Sequence, residues 1–155
     1  MTGRQKPQDD FRHILLTVVG GAYTAAGYHL DERPVQWAGG RFRFVKALDD
    51  GEYGIIEYQL LAYVDTEWSA RQPSRFKVTL RRSATPESRG GYQRDLSALV
   101  VEDFGVAILP SADHWWTYQN TETLGKALLE AGHLVIGYGI PFLAGDLKPD
   151  TSNDG

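Results

Sequence analysis

The stretch Ser74-Arg75-Phe76-Lys77-Val78-Thr79-Leu80-Arg81-Arg82 alternates apolar and polar residues with a period of two. A strand turns successive side chains to opposite faces, so Phe76, Val78 and Leu80 belong to a core face. Arg75, Lys77, Thr79 and Arg81 then project from the other face. Strands with one buried and one polar face belong to antiparallel sheets. The flanking sequence agrees. Residues 53–64 are apolar on both alternations, with Ile56, Tyr58, Leu60 and Val64 set against Ile55, Leu61 and Tyr63. That pattern predicts a central strand covered on much of both faces. Asp49-Asp50-Gly51 marks a hairpin between it and a strand over residues 41–48. Gly39-Gly40 is expected to turn that strand back onto another over residues 35–38.

Helices bracket the sheet. Phe11, Ile14, Leu15, Val18, Val19, Ala22, Ala25 and Ala26 form one stripe at helical spacing, predicting a helix over residues 10–26. Asp9 or Asp10 can cap its start and Gly27 can end it in the left-handed conformation. Gly20 and Gly21 interrupt it, each costing roughly 1 kcal/mol against Ala. Close approach of the last helix, which offers Ala127, Ala131 and Gly132, would explain them, with Gly21 and Ala25 facing Ala127 and Ala131; a break or kink at the glycine pair is the competing account. Residues 95–104 fit a short helix better than a strand, with Leu96, Leu99, Val100 and Phe104 inward and Gly105 at its end. The last helix starts at Asn120 or Thr121 and buries Leu124, Ala127, Leu128, Ala131, Leu134, Val135 and Tyr138.

A chain of 155 residues with 42% apolar and 12% aromatic residues can close one core unaided. The fold expected is a single α+β domain over residues 9–145. It has an antiparallel sheet of about four to five strands, with the N- and C-terminal helices packed on one face. Residues 1–8 and 146–155 are polar tails, expected to be flexible. Cysteine is absent, which removes disulfides and thiolate chemistry together. The first residues carry charge with no apolar run behind them, unlike a signal peptide, and no uncharged apolar run approaches the roughly 20 residues of a membrane span. A cytoplasmic bacterial protein is expected. The net charge of −4 counts against a dedicated nucleic-acid binder.

Several short motifs carry a likeness to a known family. They are Ala26-Gly27-Tyr28, Phe42-Arg43-Phe44, Gly54-Ile55-Ile56-Glu57-Tyr58-Gln59, Phe76-Lys77-Val78-Thr79-Leu80, Trp115-Trp116-Thr117 and Gly139-Ile140-Pro141-Phe142-Leu143. Together with the order helix, meander, short helix, aromatic strand, helix, they resemble the bacterial family called domain of unknown function 4304. The likeness spans residues 11–143. It implies a fold and supplies no activity, so no functional residue is carried over.

Catalytic patterns are sparse. There is no nucleophile elbow, and the pairs Gly20-Gly21, Gly39-Gly40 and Gly90-Gly91 lack phosphate-loop spacing. His13, His29, His114 and His133 are scattered, without the local ligand pair typical of a catalytic metal site. The enzymatic alternative is a small metal-assisted hydrolase centred on Asp113 and His114, drawing a carboxylate from Glu57 or from Glu102-Asp103.

The basic segment from Arg71 to Arg94 is the more informative polar feature. Arg71, Arg75, Lys77, Arg81, Arg82, Arg89 and Arg94 face the single acid Glu87 before Asp95. Arg75, Lys77 and Arg81 share a strand face and can hold phosphate or an acidic partner; such a row also guards exposed strands against aggregation. Trp37, Trp68, Trp115 and Trp116 are the aromatic candidates. Adjacent residues on a strand point opposite ways, so of Trp115 and Trp116 one is core and only the other can be a stacking platform. The function expected is a non-enzymatic binding or protein-interaction module. Its site residues are Arg75, Lys77, Arg81, Trp115, Trp116 and His114, its partner an acidic protein or polyanion, with no cofactor, metal or membrane. The oligomeric state is left open.

Overall fold

The computed structural model describes residues 7–62, 74–87 and 91–146. Tyr63, Val64, Trp68, Arg71, Arg89 and most of both expected tails lie outside them. Six described strands form one antiparallel sheet: β1 (His29–Leu30), β2 (Arg41–Ala47), β3 (Tyr53–Leu61), β4 (Ser74–Ser83), β5 (Tyr92–Asp95) and β6 (Trp116–Tyr118). The order is β1-β2-β3-β4-β5, and β6 pairs with the start of β4. The long central pair is β3 and β4, registered from Tyr53 opposite Ser83 to Leu61 opposite Arg75.

The α+β reading holds, with both terminal helices on the core face of the sheet. The first rod runs α1 (Pro7–Leu15), a π turn (Leu16–Gly20) and α2 (Gly21–Ala25). It ends at Gly27, whose φ of +94° is open to glycine at little cost. The last rod is α5 (Thr121–Leu134), a π turn (Val135–Gly139) and α6 (Ile140–Ala144). Asn120 caps it: its side chain accepts from the Thr123 amide at 2.9 Å while Thr123 Oγ1 accepts from the Asn120 amide at 3.0 Å. By length and composition Thr121–Ala144 could cross a membrane, although no membrane span is expected from the sequence. In the fold Leu124, Leu128, Ala131, Leu134, Val135 and Leu143 are buried in the core.

Three sequence expectations need correcting. Residues 35–38 are no strand: Pro34–Ala38 is a helical turn, α3, because Pro34 sits at its first position and Gly39-Gly40 ends it. The helix contact includes Gly132 of the last helix as expected, but it uses different residues of the first. Gly21 and Ala25 are exposed, and the close approach is Val19 against Gly132. The π turn inserts at Leu16–Gly20, so the glycine pair marks an irregularity in the rod, in line with the kink account. The buried stripe is consequently Phe11, Leu15, Val19 and Tyr23. Of residues 95–104, 96–103 are helical as expected, as α4 (Leu96–Ala98) and a π turn (Leu99–Asp103) before Gly105, while Asp95 ends β5.

The core has an aromatic centre within a larger aliphatic cluster. Phe11, Phe42, Phe44, Tyr58, Phe76 and Trp116 are buried in one cluster, with Phe76 and Trp116 stacked at 5.7 Å and Tyr23 edge-on to Phe44 at 4.9 Å. The Tyr23 and Tyr58 hydroxyls meet at 2.6 Å inside it.

Candidate anion-binding site

The face of the sheet turned away from this core is polar. β2 presents Arg41 and Arg43, β3 presents Glu57 and Gln59, β4 presents Lys77, Thr79 and Arg81, and β5 presents Gln93 and Asp95. Strand register sets these side by side. Arg43 lies opposite Glu57, Glu57 opposite Thr79 and Thr79 opposite Asp95; Arg81 lies opposite Gln93. Such neighbours are close enough for charges to pair. Arg43 Nε donates to Glu57 at 3.0 Å, Thr79 Oγ1 donates to Asp95 at 3.3 Å, and Lys77 pairs with Asp95 at 3.6 Å.

A cup of about 370 Å³ opens over the β2 side of this face. Arg43, Glu57 and Arg81 form its floor, with Arg33, Gln36, Arg41, Glu87 and Gln93 around its mouth. Arg33 and Gln36 are brought there by the chain reversal around Pro34 and by α3. Glu87 comes from the turn after β4. Arg33 Nε donates to Asp31 at 2.7 Å and its Nη2 to Glu87 at 3.1 Å. The Asp31 hydrogen bond, with the Asp31 charge behind it, raises the Arg33 pKa.

Two cations in the floor are buried. Arg43 and Arg81 are each 8% exposed. Both aim at one oxygen: Arg43 Nη1 and Arg81 Nη2 donate to the Pro86 carbonyl, each at the long distance of 3.4 Å. Arg43 also has Glu57, whereas among the described residues Arg81 has no carboxylate within ion-pair distance. Burying a guanidinium costs several kcal/mol unless strong hydrogen bonds and opposite charge offset it, and charge-assisted bonds normally close to about 2.7–2.9 Å. A shared neutral carbonyl at 3.4 Å meets that need poorly.

The residues singled out from the sequence are divided among three places. Arg75, Lys77 and Arg81 do share the polar face, but only Arg81 belongs to the cup, and it is buried. Arg75 and Lys77 instead lie over the Trp115 ring, at 4.6 and 5.4 Å from its centre. Trp115 and Trp116 part as the strand rule requires. Trp116 is 4% exposed in the core, with its indole N–H donated to Glu130 at 3.0 Å. His114 packs edge-on against Trp116 at 4.7 Å, and the His114 main chain is tied to Ser97 Oγ. These three aromatic residues line a separate open groove with Lys126 and Glu130. Burial lowers the His114 pKa, opposed by the nearby Glu130 charge.

The residues expected to assist a metal at Asp113 and His114 are not gathered. Glu57 is held by Arg43, and Glu102 and Asp103 by Arg94 at 2.9 and 2.8 Å. Among the described residues no three His, Asp or Glu side chains come together to hold a metal. Arg82, another member of the basic segment, is tied off by Asp50, Glu52 and the Leu143 carbonyl.

Sequence reasoning misses Arg33, Arg41 and Arg43, because all three lie outside the basic segment that concentrates the other cations. Their signal in the sequence is the Arg41-Phe42-Arg43-Phe44 alternation, which puts two arginines on one face of the strand two places from β4. Comparison with protein-family models, curated proteins and solved structures finds no match for this chain. The likeness to domain of unknown function 4304 therefore rests on the short motifs quoted for it.

Proposed function

We propose that the protein is a binding module that takes an anionic ligand into the arginine cup. One observation carries this reading: Arg43 and Arg81 are nine-tenths buried yet share a single neutral oxygen at 3.4 Å. A ligand oxygen bearing negative charge would supply the short, charge-assisted bond that Arg81 lacks among the described residues, and a second one for Arg43 beside its bond to Glu57. Arg41, exposed at the mouth, and Arg33, exposed on the rim, would draw the anion in. The basic strand face expected from sequence is thus narrowed to its buried end. Arg75, Lys77 and Trp115 form a separate cation–aromatic cluster toward the other end of β4.

Calorimetric titration with inorganic phosphate and with pyrophosphate at low ionic strength tests the reading. Both should bind, pyrophosphate more tightly, and binding should weaken with added salt as exposed charges are screened. Arg81→Gln should abolish it. Arg41→Gln, at an exposed position, should weaken binding and leave the melting temperature unchanged, which separates lost binding from lost folding. Absence of heat with either anion would sink the proposal.

A further inference from the structure

Resting on that reading, we infer that the ligand of the cup is a small phosphomonoester in its dianionic form, and that Glu87 is an internal carboxylate which the ligand displaces. The charges inside the cup set the valence. Four guanidiniums, Arg33, Arg41, Arg43 and Arg81, line it. Two carboxylates remain fixed beside them. Glu57 lies mid-sheet between β2 and β4, paired with Arg43, and Asp31 is bonded to Arg33 through the latter's Nε. Two positive charges are left for whatever enters. A monoanion would leave one of them uncompensated in a partly desolvated site, whereas a phosphomonoester above its second ionisation, near pH 6, matches both.

Geometry points the same way. Phosphoryl groups offer three acceptor oxygens, enough for several forked guanidiniums at once, where a carboxylate offers two. The converging pair Arg43 and Arg81 already shares one acceptor, the Pro86 carbonyl. A cup of about 370 Å³ exceeds what a bare phosphate needs and lies at the small end of organic-ligand sites. Gln36 and Gln93 add amides that both donate and accept, suited to a polar, uncharged remainder of the ligand.

Glu87 adds a further carboxylate at the mouth of the cup. Its carboxylate reaches over the rim to Arg33 at 3.1 Å, with its side chain 61% exposed. The Pro86 carbonyl, from the residue before it, occupies the floor. The turn thus supplies an intramolecular anion and an acceptor where the ligand's own oxygens would bind. An exposed ion pair of this kind holds weakly, so it can give way to a better ligand.

Phenyl phosphate and phenyl sulfate separate these claims, since they share a shape and differ by one charge at pH 8. Phenyl phosphate should bind about tenfold more tightly at pH 8, because the extra charge meets the second guanidinium that has no fixed carboxylate. That advantage should fade below about pH 6 as the phosphate takes up its proton. Glu87→Gln should tighten phenyl phosphate binding several-fold, and Arg41→Gln should weaken it in the folded protein. Equal affinity for the two esters at every pH would overturn the dianion assignment while leaving an anion site standing. A preference for phosphate with Glu87→Gln no tighter than the parent would overturn displacement. Failure of both esters, together with pyrophosphate, would remove the anion-binding reading itself.

Discussion

Single polar atoms in this protein are placed where a partner matters most. Tyr23 and Tyr58 lie on different layers, one on the first helical rod and one on β3, and both are fully buried. Their hydroxyls satisfy each other at 2.6 Å in an otherwise apolar core. Removing one hydroxyl strands the other, and an unsatisfied buried hydroxyl costs about 1–3 kcal/mol; removing both leaves two phenyl rings of nearly the same shape at little cost. Tyr58→Phe and Tyr23→Phe should therefore each lower stability by that amount in urea unfolding, and the double variant should lie close to the parent. Additive losses would mean that the two hydroxyls do not depend on each other.

At the scale of elements, the same logic separates two glycines of α5. A Cβ on Gly132 would come within 2.7 Å of Val19 Cγ1, on a β-branched side chain with little rotamer freedom, whereas one on Gly125 would meet nothing within 4 Å. Gly125→Ala should then stabilise by up to about 1 kcal/mol through helix propensity alone. Gly132→Ala should instead overpack the joint between the rods and lower stability, by about 1–3 kcal/mol before the same propensity gain is subtracted. Melting temperatures moving the same way in both variants would show that the rods do not meet at Gly132. Elements with strong periodicity are legible in the residues themselves: β4 from its strict alternation, the last helix from its stripe and its Asn120 cap. Features that a period of 2 or 3.6 does not encode are not. The π turn at Leu16–Gly20 shifts the stripe, which is why a regular helical count turns Ala22 and Ala25 inward and leaves out Tyr23. Pro34 and Gly39-Gly40 look like hairpin punctuation, although proline at the first position and glycine after the last equally bracket a helical turn. The cup is hidden for a further reason. Its arginines are drawn from three separate parts of the chain, and only strand register and the α3 turn make them neighbours.

The molecule as a whole is a sheet with two unlike faces, an apolar core closed by two helical rods and a charged back. Arg82 clips these layers together through Asp50, Glu52 and the Leu143 carbonyl. The core face is rich in phenols, and this governs how the whole fold responds to alkali. Burial pushes the Tyr28 and Tyr118 hydroxyls up to about 12, and it raises those of Tyr23 and Tyr58 as well. In the unfolded chain each would ionise near pH ~10. The folded state thus holds these protons more tightly, so their contribution to stability is complete below about pH 10 and is lost as pH rises toward about 12 and beyond. Melting temperature should be insensitive to these groups at neutral pH and should fall steeply above about pH 10. Because the four phenols come from the first rod, the loop that follows it and the sheet, their ionisation should require the layers to part. In an alkaline titration the exposed tyrosines should ionise first, and a second step in phenolate absorbance should coincide with loss of the helical circular dichroism signal. The Tyr23→Phe, Tyr58→Phe double variant, having fewer protons to release, should show a smaller second step and a shallower loss of stability with pH. Complete phenolate formation with the helical signal intact would mean that these side chains reach water without unfolding.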